Sequence, residues 1–246
     1  MSSQLSGSTP AAPEPVPSSI DPRAPLPPPG NRTPEVALAE LLSGNRRFIS
    51  AQPVHGHNVT AAAAASGDQQ PYAVVVGCLD SRVPLEAIFD QTFGSMCVVR
   101  SGGHVLDRAV LGSIEFAVTA LRVPLVMVLG HERCGAVAAT VAALRTGERP
   151  DGPLGYLVDQ ITPAVREVGV DRPDVVPSAL RRHITRTMAV IAGIESLAGP
   201  LSAGQVRLVG AVYDLDSGRV DLLDDADAGG CADPGGDADA GDARDG

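Results

Sequence analysis

The sequence predicts an α/β protein: a mostly parallel central β-sheet flanked by helices, with an N-terminal helical arm. Three observations carry that expectation. Short, continuous, Val-rich apolar runs stand at 72–78, 96–103 and 124–131, and runs of that length and composition read as strands buried on both faces. Helical patterns alternate with them, as the crossovers of a parallel sheet require. The first and third runs also reach a glycine and are followed at once by chemically reactive side chains, and sites in such sheets form beyond the carboxyl ends of the strands.

Residues 1–34 hold ten of the 21 prolines and little to bury; they read as a disordered segment. The folded domain is expected over 35–224. Its first element is "TPEVALAELLSGNRRF", where Thr33 can cap, Pro34 suits a first helical turn, and Val36, Leu38, Leu41 and Leu42 form a stripe. "YAVVVGC" at 72–78 is the first strand and "VPLEAIFDQTF" a short helix. "MCVVRSGG" at 96–103 is the second strand, followed by an amphipathic helix over 106–121. "PLVMVLGH" at 124–131 is the third strand, and "GAVAATVAALRTG" a helix ending near Gly147. Residues 153–200 read as helices broken by Pro and Gly. "QVRLVGAVYDLDSGRVDLL" at 205–223 is a strand pair with a turn at Asp216–Gly218. Residues 225–246 read as a disordered acidic tail.

Composition narrows the function. The formal charge is −10, but residues 221–246 contribute −8 of it through nine Asp and one Arg. The remainder is near −2 and offers no footprint for nucleic acid or an anionic membrane. Lysine is absent, which removes Schiff-base chemistry and a G-K-[ST] phosphate loop. No apolar run reaches the roughly 18 residues of a membrane span, and the N-terminus lacks the apolar core of a secretory signal. A cytoplasmic location is therefore expected. In a reducing compartment the four cysteines, Cys78, Cys97, Cys134 and Cys231, read as metal-binding or catalytic before they read as disulfides. Cys231 lies in the acidic tail and reads as a thiol without a role.

Cys78 and His131 fall at the carboxyl ends of the first and third strands, and Cys134 follows one turn later. If those strands are neighbours, the three side chains form an S₂N donor set. Zn²⁺ takes thiolate and imidazole in tetrahedral geometry, and three protein ligands leave the fourth position open, the arrangement of catalytic sites. Each motif alone is weak: a strand-end Cys is commonly a small buried hydrophobe. Asp80 and Arg82 read either as a surface ion pair or as a carboxylate beside the metal, held bidentate by the guanidinium.

"CLDSR" at 78–82 with "GHERCGAV" at 130–137 resembles the β-class carbonic anhydrases, with the actinobacterial branch nearest. "LLSGNRRF", "FDQTFGSMCVVRSGGHVLD" and "AVLGSIEFAV" extend the likeness over roughly 35–223. The resemblance implies one Zn²⁺ per chain on Cys78, His131 and Cys134, with water or hydroxide as the fourth ligand. It makes Asp80 and Arg82 the catalytic dyad; in some members the aspartate takes the fourth position at lower pH and the arginine draws it away. It puts Gln69 and Gly102 in the substrate pocket, of plant type. The implied reaction is reversible hydration of CO₂ to bicarbonate and a proton. Two thiolates make the ion a weaker Lewis acid, so activity should rise at alkaline pH. Family members are homodimers or homotetramers with the pocket at the interface and the N-terminal helix reaching over the partner, a role residues 35–50 fit; the alternative is a helix packed on its own core. Two departures stand out. Cys97 replaces a frequent Phe and puts a third thiol near the metal or simply fills a buried strand, and His104 is either structural or a titrating group near the cleft. Rival readings are a zinc hydrolase of carbonyl sulfide or carbon disulfide, a non-catalytic zinc- or bicarbonate-binding protein, and a thiol-redox enzyme, the last disfavoured by the absence of C-x-x-C.

Overall fold

The computed structural model describes residues 32–67 and 69–224. Most of the two segments expected to be disordered, 1–31 and 225–246 with Cys231, lies outside the described residues.

Five strands form one sheet: β1 (Ala73–Cys78), β2 (Met96–Ser101), β3 (Leu125–His131), β4 (Arg207–Tyr213) and β5 (Val220–Leu222). Their spatial order is β2-β1-β3-β4-β5. The first four are parallel and β5 is antiparallel to β4, so the strand pair at 205–223 is a hairpin, turned at Gly218 with φ 73°.

The Val-rich runs are apolar throughout because both faces of the central strands are covered. Val74, Val76, Val126 and Val128 face a layer made by α4 (Arg108–Thr119), α5 (Gly135–Thr146), α6 (Gly152–Val168), α7 (Val175–Ala192) and α8 (Glu195–Ser202). The alternate residues Ala73, Val75, Leu125, Met127 and Leu129 face α1 (Pro34–Ile49) and α3 (Leu85–Ile88). A period of two along each strand therefore feeds two cores.

The N-terminal helix starts where its sequence says. The Thr33 side chain accepts from the Val36 N–H, with Pro34 in the first turn. Its buried face is Ala37, Leu38 and Leu41 against its own sheet, with Asn45 donating to the Ile88 and Gly218 carbonyls and accepting from the Val220 N–H. Of the two readings of residues 35–50, one chain displays the helix packed on its own core. A short helix, α2 (Val59–Ala64), capped by Asn58 and with no buried residue, lies in a stretch the sequence left unassigned.

The breaks in 153–200 fall at Gly169 and Gly193, but Pro163 and Pro200 sit inside α6 and α8. An interior proline costs a helix about 3 kcal/mol. Val158, Ile161 and Val165 of α6 are buried, at about 1.5–3 kcal/mol each, so packing overrides the local signal. Among the described residues no helix is long and apolar enough to cross a membrane.

Candidate metal centre

β1 and β3 are hydrogen-bonded neighbours in a register that pairs Gly77 with Leu129. The two strands therefore end together, with Cys78 as the last residue of β1 and His131 as the last of β3. A two-residue turn follows, with Arg133 at φ 53°, and delivers Cys134 to the N-cap of α5. The ligand atoms of Cys78, His131 and Cys134 all lie within 4.8 Å of one another, and all three residues are buried.

The protonation pattern of this cluster suits a cation. His131 Nδ1 is 2.9 Å from the Glu132 carbonyl. A carbonyl only accepts, so Nδ1 carries the hydrogen and Nε2 holds the lone pair. Nε2 is buried and has no hydrogen-bond partner, although buried polar atoms almost always have one. The thiols are coupled. The hydrogen bond from Cys134 holds Cys78 well below the usual thiol range, and the same bond, reinforced by burial, pushes Cys134 up. Two sulfurs and an aimed imidazole lone pair fit Zn²⁺ and leave a position free in its tetrahedron.

Asp80 and Arg82 stand at the rim. Arg82 donates from Nε and Nη2 to the two Asp80 carboxylate oxygens at 3.0 and 2.8 Å, and its backbone N–H adds a third bond at 2.9 Å. The Arg82 hydrogen bonds hold the Asp80 carboxyl far below the usual carboxylate range. Asp80 Oδ2 is 3.8 Å from His131 Nε2, so the carboxylate borders the place where an ion would sit while being tied to the guanidinium.

The structure brings Gly102 to this cluster, buried in the 3₁₀ turn Gly102–His104 beside Leu79 and Leu157. It does not bring Gln69 there. That residue lies before the amino end of β1, in a hollow with Arg32, Tyr72 and Arg122. Cys97 is also remote: it pairs with Val74, four residues before Cys78 on β1, about 13 Å along a strand. Within one chain it is not a third thiol near the metal. His104 is fully buried, and burial together with the neighbouring His183 pushes its pKa well below the ordinary imidazole value. It packs against His183 with ring centroids 4.6 Å apart and planes tilted by 32°, which is the structural reading of that position.

Two contributors were not singled out from the sequence. Arg100, at the end of β2, donates to the carbonyls of Cys78 and Asp80 at 2.7 and 2.5 Å and fixes the backbone between ligand and dyad. The signal was available, since a charged residue closing an apolar strand needs a local partner. His183, on α7, lies some eighty residues from the backbone it touches, and no spacing pattern encodes that contact.

The comparisons agree with this geometry. The carbonic anhydrase family model matches residues 73–220. A carbonic anhydrase of Mycolicibacterium smegmatis is 45% identical over 197 residues, covering 78% of this chain and 94% of its own. Carbonic anhydrase 2 of Mycobacterium tuberculosis is 43% identical over 199 residues, covering 79% of this chain and 95% of its own. Among solved structures, a β-carbonic anhydrase of Sordaria macrospora superposes with a TM-score of 0.61 at 20% identity, covering 76% of this chain and 96% of its own; at that identity the likeness speaks for the fold. The Cys78–His131–Cys134 cluster matches the zinc-ligand set of the β class, and the chain belongs to the carbonic anhydrase family, among its β-class members and close to those of actinobacteria.

Proposed function

We propose that the chain is a zinc-dependent carbonate dehydratase that interconverts CO₂ with bicarbonate and a proton. The observation that carries the reading is the buried S₂N cluster at two neighbouring strand ends, with an arginine-clamped carboxylate at its rim. Cys78, His131 and Cys134 would hold one Zn²⁺. When bound, the ion supplies the Lewis acidity that makes a hydroxide nucleophile available near neutral pH.

The chain's own residues do the rest. Asp80 stays ionised through the neutral range and has its oxygens engaged by Arg82, so it accepts a hydrogen bond from the nucleophile without displacing it. His131 is fixed in its Nδ1–H tautomer by the Glu132 carbonyl. Gly102 keeps the wall beside Leu79 and Leu157 small and apolar, which suits an uncharged linear substrate. The thiolates need a reducing compartment, in keeping with the cytoplasm.

We also infer that a second copy completes the site, in a homodimer or homotetramer. Among the described residues β2 is an outer strand with no partner on its far edge, and such edges are normally covered. Beside it runs a groove of about 570 Å³ lined by Cys97, Val99, Phe116 and Leu121, with Phe116 57% exposed. Gln69 can serve the pocket only from another chain, because β1 separates it from Cys78 by about 20 Å. The Sordaria macrospora proteins are described as tetrameric.

The test is stopped-flow CO₂ hydration at pH 7 and pH 9 on protein with its zinc quantified. One zinc per chain with hydration that rises with pH is the expected result. Full zinc without hydration at either pH overturns the reading and brings carbonyl sulfide hydrolysis to the front.

A further inference from the structure

We infer that His183 is a positioning residue for the metal centre, acting through the backbone of Gly103 on the Cys78 sulfur; the inference rests on the metal reading above. The chain of contacts is short. His183 Nε2 is 2.9 Å from the Gly103 carbonyl oxygen. The Gly103 N–H in turn donates to Cys78 Sγ at 3.4 Å. One residue therefore receives a hydrogen bond from α7 and gives one to a ligand atom.

Glycine is the residue least able to set its own direction. Gly103 sits at φ 60° and ψ 32°, in the left-handed region that strains any other residue, and its surroundings are tight. A Cβ there would stand 3.0 Å from both the Ala136 Cβ and the Ile161 Cδ1. With no side chain to bias it, Gly103 is set by the two peptide planes it joins. The plane carrying its N–H is held at the Gly102 carbonyl, which accepts from the Val105 N–H at 3.3 Å. The next plane is held at the Gly103 carbonyl by His183. The two bonds together fix its φ and ψ and through them the aim of the N–H.

His183 is built to hold it. A carbonyl accepts, so Nε2 carries the hydrogen and the tautomer is determined. The ring is buried and lies against His104, with centroids 4.6 Å apart and planes 32° from parallel, a contact that restricts its rotation. Burial lowers its pKa to about 4, so it donates this bond as a neutral group and adds no charge beside the ion. α7 is itself anchored to the second ligand strand. A Cβ at Gly130, the residue before His131, would lie 2.6 Å from Ile184 Cδ1 and 2.9 Å from Leu180 Cδ1. The helix thus sits directly on the β3 backbone while bonding the turn that faces Cys78. An N–H donor on a metal thiolate withdraws charge from the sulfur and favours the thiolate over the thiol.

The experiment uses the full chain loaded with ¹¹³Cd²⁺ or Co²⁺, so it does not depend on CO₂ hydration. In the ¹¹³Cd form the Gly103 amide proton should show scalar coupling to the metal across the Cys78 sulfur. His183→Gln retains a donor at the Nε2 position and should keep that coupling. His183→Asn is as polar but too short to reach the carbonyl. It should lose the coupling, move the thiolate-to-Co²⁺ charge-transfer band to lower energy, and weaken metal binding about tenfold. Cd²⁺ on Cys78 with no coupling to Gly103 in the unaltered protein, a measurement that needs no variant, overturns the inference. So does Asn behaving like Gln. Failure of Cd²⁺ to reach Cys78 at all sinks the metal reading and this inference with it, whereas inactivity toward CO₂ with the coupling intact sinks only the proposed reaction.

Discussion

Two of the buried polar centres among the described residues, the one around Asp90 and the one around Cys78, are finished to different degrees. Asp90, 2% exposed and at φ 44°, accepts from Arg47 Nε at 2.5 Å and from the N–H groups of Val54 and His55 at 3.1 and 3.0 Å. Its own carbonyl takes Arg47 Nη2 and His55 Nδ1. Every strong acceptor is used, and the result ties α1 and the 52–57 segment to the end of α3. The Cys78–His131–Cys134 centre is as deeply buried but incomplete: one imidazole lone pair has no partner and two thiols compete over a proton. A centre satisfied by its own chain stabilises the fold. An unpartnered buried nitrogen is not enough by itself to mark a guest site, since His104 and His183 also carry such atoms. What shapes the Cys78–His131–Cys134 centre for a guest is that its imidazole nitrogen meets two sulfurs within 4.8 Å.

The largest effect expected from breaking this contrast is at the guest site. Cys134→Ser replaces a group that can ionise with one that does not. Zinc retention after dialysis against a chelator should fall by more than the tenfold to hundredfold typical of residues one shell out, and CO₂ hydration should drop to background. Urea unfolding of the metal-free protein should barely change, because no completed hydrogen-bond network is lost. Zinc held at one per chain by the variant would break the comparison.

Asp90→Asn should do the reverse. It removes the nearer charge partner of the part-buried Arg47 guanidinium and leaves only Glu40, 3.9 Å away. The cost should approach but not reach the roughly 3–5 kcal/mol of a fully stranded buried charge, while zinc stoichiometry stays at one. The pH dependence sharpens this. Burial by itself would raise the Asp90 pKa, but the Arg47 bond and the two backbone N–H groups outweigh it and hold the carboxyl below its usual value. A depressed carboxylate contributes stability above its unfolded pKa of about 3.9 and loses it as pH falls through the folded value. Urea midpoints of the two proteins should therefore differ most near pH 7 and converge below about pH 4. A constant difference across that range would mean the loss is one of packing, not of charge.

The next change down in size is at the rim. Arg82→Ala frees the Asp80 carboxylate, 3.8 Å from His131 Nε2, to compete for the open metal position. Hydration at pH 7 should fall tenfold to hundredfold with zinc retained, and the deficit should narrow at pH 9, where hydroxide competes better. An equal loss at both pH values would assign Arg82 a packing role only.

The two centres also differ in how much of them a reader of the sequence could see. Cys78, His131 and Cys134 were legible because they close apolar strands or open a helix, and strand ends converge in a parallel sheet. The fold was legible for the same reason, through Val-rich runs spaced by helices. The Asp90 centre was not, although Arg47 and His55 were in plain view: its bonds join α1, a loop and the end of a four-residue helix, and no periodicity encodes loop geometry. His183 was hidden because its partner is a backbone carbonyl, which every residue possesses. Pro163 misled because local propensity is weaker than the burial of three side chains.

The smallest expected effect concerns Cys97, which family resemblance moved toward the metal and strand register moves away. It pairs with Val74, so four residues of β1 separate it from Cys78, and burial pushes its pKa up. Thiol oxidation runs through the thiolate, and a raised pKa keeps that fraction low. Cys97→Ser should leave zinc content unchanged and the rate of inactivation by hydrogen peroxide within about twofold, against the tenfold or more expected if a neighbouring thiol relayed oxidation to the ligands. Marked protection by the substitution would mean that a second chain brings its own Cys97 to the cleft that this chain's Cys97 cannot reach.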